Sequence, residues 1–211
     1  MITHNVAQGS EEWFALRAGI PTASEASKLV TSTGKASTQM IEYAYQLAGE
    51  LYAGKPLDRW EGNEWTDRGK EMEAVAMSTY ELNNCIYVER VGFCTVDNGS
   101  HGCSPDGLVE EGVVEIKCLA SKKHVKNMVY YNKHKSLASD YIPQVQMQLL
   151  VCRRKWCDIV FYHPELPMLV IRQEPISGVQ EMLITQLGNC LKLRDDTLKI
   201  IEGEKPDGQS K

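Results

Sequence analysis

The stretch Val113-Val114-Glu115-Ile116-Lys117-Cys118 constrains the fold more than any other part of the chain. It is mostly apolar, the pattern of a central strand buried on both faces rather than one with a wet side. Glu115 and Lys117 interrupt it two residues apart, so both side chains leave the same face. Upstream, Ser104-Pro105-Asp106-Gly107-Leu108 belongs to a second apolar segment, and Glu110-Glu111-Gly112 supplies a turn between the two. The expected hairpin pairs 103–108 with 113–118 and brings Asp106 beside Glu115 and Lys117. In isolation, a Glu and a Lys two apart on a strand are usually solvated surface. A central apolar strand, with Pro-Asp-Gly at hairpin distance, supports a different reading. Two carboxylates among apolar neighbours form an oxygen-donor site for a hard cation such as Mg²⁺. Without a cation they would repel, and one pKa would rise. Such a trio suits phosphodiester hydrolysis, with the cation as Lewis acid, a water as nucleophile and the lysine as its positioner.

The surrounding pattern predicts an α/β chain. Helices are expected over 10–17, 25–30, 40–52, 64–81, 122–132, 139–152 and 179–202. Ser10 caps the first, with Glu11 and Glu12 in its opening turn and Gly19 beyond its end. Strands are expected over 86–91, 92–96, 103–108, 113–118, 156–162 and 168–173, with Pro164 and Pro167 in the loop between the last two. The simplest packing is a central mixed β-sheet flanked by helices. A single domain over 1–202 and a frayed polar tail over 203–211 follow from length and composition.

Composition narrows the function. The chain has 211 residues, 43% hydrophobic and 24% charged, an ordinary globular balance. Its 23 Lys+Arg against 28 Asp+Glu give a net charge of −5, which argues against a basic protein that coats nucleic acid by bulk charge. A local basic groove is compatible with it. No apolar run approaches the roughly 20 residues of a membrane span, so no membrane role is expected. The first residues, MITHNVAQGSEEWF, lack the basic start and apolar stretch of a signal peptide. Seven scattered cysteines read as reduced cytoplasmic thiols used as small core residues. No C-x-x-C pair occurs, and neither Cys152 with Cys157 nor His101 with Cys103 makes a zinc signature.

Four blocks carry a resemblance. They are Trp13-Phe14-Ala15-Leu16-Arg17-Ala18-Gly19-Ile20-Pro21-Thr22-Ala23-Ser24; Arg68-Gly69-Lys70-Glu71-Met72-Glu73; Gly102-Cys103-Ser104-Pro105-Asp106-Gly107 through Glu115-Ile116-Lys117-Cys118; and Tyr141-Ile142-Pro143-Gln144-Val145-Gln146-Met147-Gln148. In this order and spacing they resemble the PD-(D/E)xK nucleases, and more closely the phage lambda exonuclease family of YqaJ-like viral recombinase nucleases. The resemblance implies a restriction-endonuclease-like core and 5′→3′ degradation of one strand of linear double-stranded DNA. The products would be 5′-phosphorylated, and a 3′ overhang would be left for recombination by strand annealing. It further implies Mg²⁺ (Mn²⁺ substituting), a ring-shaped homotrimer and a single-strand annealing protein as partner, in the cytoplasm of a bacterial or phage-infected cell.

By position, Asp106 and Glu115 would hold the metal with the Ile116 carbonyl, and Glu73 would complete the shell. Lys117 would activate the water. Gln144 would orient Lys117 or the nucleophile, with Gln146 as the alternative and Tyr141 one turn before. Arg17, Ser24 and Ser104 match a pocket for the 5′-phosphate. Arg17 offers a planar, always-charged fork for phosphate, and Ser24 sits where a short helix begins, as a phosphate ligand or an ordinary cap. The family's strand-separating wedge aligns with Thr66, which is polar; the adjacent Trp65 could stack on an unpaired base, with Arg59-Trp60 as a further contributor. Lys122 and Lys123, with Lys126, Lys133 and Lys135, would line a DNA track. Two rival readings remain open: a PD-(D/E)xK endonuclease of the restriction or junction-resolving kind, and a non-catalytic DNA-end or recombinase-binding module.

Overall fold

The computed structural model describes residues 1–57 and 64–203, without the side chains of 64–71. In chain order it contains β1 (Ile2–His4), α1 (Glu11–Arg17), a short 3-10 helix (Ala23–Lys28), α2 (Met40–Ala53), α3 (Glu64–Asn84), β2 (Phe93–Thr95), β3 (Gly102–Cys103), β4 (Gly107–Val109) and β5 (Gly112–Cys118). There follow α4 (Ser121–His134), a 3-10 turn (Ser139–Tyr141), α5 (Ile142–Cys152), β6 (Trp156–His163), β7 (Leu166–Gln173) and α6 (Ser177–Gly203). None of these helices is long and apolar enough to cross a membrane among the described residues.

The centre is a mixed sheet of order β4-β5-β6-β7. β5 and β6 run parallel, and the other two pairs are antiparallel. The parallel pair requires a crossover, which α4 and α5 supply. Val114, Ile116 and Val160 pack on one face against Ala76, Met77 and Tyr80 of α3. Val113, Ile159 and Phe161 pack on the other face with Val145 and Leu149 of α5. β5 is therefore covered on both sides, as its apolar run demands. A second sheet, β1-β2-β3, is antiparallel throughout and was not expected. β1 is three residues long, too short to show an alternation.

Several expected elements change for local reasons. The strand expected over 103–108 splits at Pro105, which has no amide to give a ladder. The chain leaves one sheet at Cys103 and joins the other at Gly107, while the Pro105 carbonyl accepts from Gln8 Nε2 at 3.1 Å. The strand expected over 86–91 is reduced to a single bridge, Glu89 to Leu108. There the Val88 amide is taken by the Glu81 carboxylate at 2.8 Å instead of a neighbouring strand. Pro167 lies inside β7, not in a loop. β7 is an edge strand, and its register with β6 shifts between Phe161 and His163, where proline is tolerated. Ser10 caps α1 as expected, its Oγ accepting from the Trp13 amide at 3.2 Å. All seven cysteines are free thiols. Of the expected tail, 204–211 lies outside the described residues.

Candidate active site

The register between β4 and β5 builds the acidic half of the site. Gly107 pairs with Val114, so the next position along the strands sets Asp106 beside Glu115. β4 goes no further, and the following β5 amide would lack a ladder partner. Asp106 takes it: the Ile116 N–H donates to Asp106 Oδ2 at 2.5 Å. Glu115 points to the α5 side and is only 4% exposed. Lys117 Nζ and Gln144 Nε2 donate to its Oε1 at 2.6 and 2.5 Å, and Gln148 Nε2 donates to Oε2 at 2.6 Å. Gln144 and Gln148 are one helical turn apart, which is how both reach one carboxylate. Glu73, on α3, shares a cleft with Asp106 and interacts with it from the other side.

The electrostatics follow from this crowding. Asp106 is held well above the usual carboxylate range, by burial first and then by Glu115 and Glu73. Glu73 is raised as well, again by burial and then by Glu115. Burial acts to lower the pKa of Lys117, but the Glu115 charge and hydrogen bond, with Asp106, outweigh it and raise the value. Lys117 is thus a firm cation in this arrangement, and the environment favours the protonated forms of Asp106 and Glu73. Tyr141 is raised by burial; its ring meets Phe161 edge-on at 5.1 Å, and its hydroxyl accepts from Asn127 Nδ2 at 3.4 Å. It lies close enough to Lys117 for their charges to interact.

These residues suit a hard divalent cation. Three carboxylates converge, and the pKa values of Asp106 and Glu73 are raised by burial and then by their acidic neighbours, a crowding that a cation would relieve. A carboxylate has about four acceptor positions, and Glu115 uses three of them on Lys117, Gln144 and Gln148. Among the described residues no three of His, Cys, Asp and Glu already stand as a closed ion cage. The donors are present, with the Glu115 oxygens held by Lys117, Gln144 and Gln148 and Asp106 by the Ile116 amide. A cleft of about 410 Å³, bounded by Asn5, Gln8, Glu73, Arg90 and Asp106, gives access to this cluster.

Two residues before Asp106 the chemistry reverses sign. Arg17 Nη1 reaches Ser104 Oγ at 3.3 Å, and Nη2 reaches Ser24 Oγ at 3.1 Å and Thr22 Oγ1 at 3.3 Å. Its guanidinium lies over the Trp13 ring at 4.1 Å, and Trp13 Nε1 donates to Ser104 Oγ at 2.8 Å. Burial lowers the Arg17 pKa from its ordinary value. Among the described residues no carboxylate lies within ion-pair distance of Arg17. A desolvated cation ringed by three hydroxyls has the composition of an anion site. Thr22, not Ser24, occupies the cap position of the short helix and makes no side-chain cap bond, so Ser24 is freed to face Arg17.

The expected residues are thus brought together in two groups: Asp106, Glu115, Lys117, Glu73 and Gln144, with the buried Tyr141 near Lys117; and Arg17, Ser24 and Ser104. Gln146 joins neither. Its Nε2 donates to the Glu174 carbonyl at 2.9 Å, and its Oε1 accepts the Ile176 amide at 2.7 Å. It fastens α5 to the start of α6. Gln148, Thr22 and Trp13 are contacts not assigned a role from sequence. The i,i+4 spacing of Gln144 and Gln148 and the T-A-S block were the available signals. Lys122 and Lys123 are exposed at the start of α4, directly after β5, and make no ion pair among the described residues. Lys126, Lys133 and Lys135 are exposed too, while His124 between them is buried and bonded to the Pro167 carbonyl at 2.9 Å. The side chains of Trp65 and Thr66, and the pair Arg59-Trp60, lie outside the described residues.

Comparison with known proteins bears on the family and the fold. A family model described as the YqaJ-like viral recombinase domain matches residues 12–155. An alkaline exonuclease (LHK-Exo) from Laribacter hongkongensis is similar in structure, with a TM-score of 0.78 and 29% identity over 92% of this chain and 97% of that one. The same enzyme in complex with dAMP gives a TM-score of 0.78 at 28% identity, with the same coverage. A phage-related exonuclease from Haemophilus somnus 129PT shares the fold, with a TM-score of 0.65 at 13% identity over 86% of this chain and 96% of that one. No curated protein matches the sequence. The neighbours have the mixed sheet and flanking helices of PD-(D/E)xK exonucleases, the architecture seen here.

Proposed function

The chain belongs to the YqaJ-like viral recombinase family, and from that premise we propose that it is a metal-dependent exonuclease acting on the ends of linear double-stranded DNA. One observation carries the reading. The tripeptide Ser104-Pro105-Asp106 ties an anion pocket to a carboxylate cluster. Its two ends are two residues apart, roughly 7 Å along an extended chain, the scale on which successive phosphates follow one another along a nucleic-acid strand. A 5′-phosphate at Arg17, Ser24 and Ser104 therefore brings the next phosphodiester toward Asp106 and Glu115. That placement favours one strand digested 5′→3′, 5′-phosphorylated products and a remaining 3′ overhang.

A divalent cation, Mg²⁺ or Mn²⁺, held by Asp106, Glu115 and the Ile116 carbonyl with Glu73 beside them, would supply Lewis acidity at the scissile phosphate. The residues do the rest. Gln144 and Gln148 fix the Glu115 carboxylate from α5. Lys117 Nζ, a firm cation while Glu115 is free, points at the same oxygen as Gln144. Once Glu115's charge is engaged elsewhere, burial dominates, and the Lys117 pKa moves down. Nζ then becomes able to accept the proton of the attacking water. Tyr141 packs edge-on against Phe161 within reach of the Lys117 charge, and Lys122 and Lys123 follow β5 where a strand leaving the site would pass.

The wider assignments belong to the same reading: a single nuclease domain over 1–202, a homotrimer around the duplex, a single-strand annealing protein as partner and a place in the cytoplasm of a bacterial or phage-infected cell. Trp65 or Thr66 would part the strands. Linear and covalently closed circular duplexes, incubated with Mg²⁺ and with EDTA, test the proposal. Loss of the linear form alone, and only with metal, is expected. Nicking or linearisation of the closed circle would indicate an endonuclease, and no hydrolysis of either would indicate a non-catalytic end-binding module.

A further inference from the structure

Arg17 stands on an unusual support. α1 is seven residues long and has no fully buried residue; Trp13, Phe14 and Leu16 are only half-buried. The turn that follows is held by polar groups. Gly19, in the left-handed region at φ +74°, donates its amide to Glu50 Oε2 at 3.1 Å. Its carbonyl accepts Arg194 Nη1 at 2.8 Å from α6, 175 residues away in sequence. Asp195 occupies the other side of that guanidinium, at 2.8 Å from Nε, so Nη1 is committed to Gly19. A Cβ on Gly19 would stand 2.8 Å from the Leu51 Cβ, so the turn lies directly on α2. Three residues on, the Thr22 amide donates to the Tyr43 hydroxyl at 3.1 Å, also on α2. Both ends of the segment that joins Arg17 to the Thr22 and Ser24 hydroxyls are clamped this way.

Glu50 makes the point most sharply. It is 7% exposed and lines the same cleft as Arg17, about 450 Å³ in volume. A buried carboxylate is costly unless hydrogen-bonded, and its sign is wrong for a pocket that receives a phosphate. Its oxygens are engaged instead: Oε2 by Gly19 and Oε1 by Gln46 Nε2 at 3.0 Å. We propose that Glu50 and Arg194, with Tyr43, are positioning residues for the 5′-phosphate pocket, gripping the Gly19 turn so that Arg17 and Ser24 face the terminal phosphate. The proposal rests on the end-binding reading given above.

The test is the ratio of kcat/KM on 5′-phosphorylated over 5′-hydroxyl blunt duplexes, for wild type, Arg194→Met, Glu50→Leu, Glu50→Gln and Arg17→Ala. A purely structural defect lowers both substrates together and leaves the ratio alone. Positioning errors of about 1 Å can reach 100-fold. The phosphate preference is therefore expected to fall by on the order of 10-fold in Arg194→Met and Glu50→Leu, with KM rising on the phosphorylated end. Glu50→Gln keeps an acceptor for the Gly19 amide and is expected to retain most of it. Should Glu50→Leu fail to fold, Arg194→Met decides alone. If Arg17→Ala loses the preference while Arg194→Met keeps the wild-type ratio, the positioning role is overturned and the end-binding reading stands. If wild type has no preference, or Arg17→Ala leaves it intact, both are overturned.

Discussion

Two charged regions meet at Ser104-Pro105-Asp106, and they are unfinished in opposite ways. On the Asp106 side, three carboxylates crowd together, and burial holds two of them above their ordinary pKa. On the Ser104 side, an arginine is desolvated among hydroxyls with no carboxylate at ion-pair distance among the described residues. The first region calls for a cation and the second for an anion. A phosphodiester substrate with a divalent metal supplies both, and neither region alone would specify an enzyme that starts at an end. The contrast also resolves the net charge of −5. Part of the acidity lies at Asp106, Glu115 and Glu73, where a bound metal would reverse the local sign.

The largest effects are expected on the acidic side. Lys117→Ala or Asp106→Ala is expected to lower hydrolysis of linear duplex by about 10²–10⁴-fold, as measured on end-labelled substrate with Mg²⁺. Wild-type rates in Lys117→Ala would remove Lys117 from the chemistry. On the cationic side the expected loss is smaller and selective. Arg17→Ala should lower kcat/KM about 10–100-fold on 5′-phosphorylated ends and change 5′-hydroxyl ends much less. Equal losses on both would mean that Arg17 supports the fold, not the phosphate.

The glutamine row sharpens the boundary of the acidic region. Gln144→Ala should reduce turnover with little change in stability. Gln146→Ala leaves the Ile176 amide unpaired, while the Glu174 carbonyl keeps its bond from Gln173 Nε2, and should cost about 1–3 kcal/mol of stability in denaturant unfolding. The reverse pattern would move the site away from Gln144. The smallest effect concerns pH. Asp106 and Glu73 have raised pKa values in the fold, so their contribution is present at acid pH and lost as pH rises through the raised values. Metal-free protein should therefore lose melting temperature toward alkaline pH. Asp106→Asn should recover a few degrees at pH 8, the scale of about 1 kcal/mol in a chain of this size, and little at pH 5. Added Mg²⁺ should raise wild-type melting temperature more at pH 8 than at pH 5.

The acidic region was readable in the sequence because a strand period and a hairpin register carry side chains to fixed places. Asp106, Glu115 and Lys117 needed nothing more. The choice between Gln144 and Gln146 was not readable, since both lie on one short helix buried on nearly every side. Only the partners across the fold separate them. The anion pocket was legible as motif residues but not as a structure. Its clamp uses Glu50 and Arg194, which no local pattern connects to Gly19. The break at Pro105 was visible in principle, since proline ends a ladder, but the second sheet it opens into rests on strands of two or three residues.

The most direct test of the paired-region account is digestion of a linear duplex labelled at its 5′-phosphate, set against its 5′-hydroxyl counterpart, in Mg²⁺ and in EDTA. Release of the label as a 5′-mononucleotide only with metal, and faster loss of the phosphorylated duplex than of its 5′-hydroxyl counterpart, are expected. Release from the 3′ end first, or undiminished release in EDTA, would contradict the paired-region account.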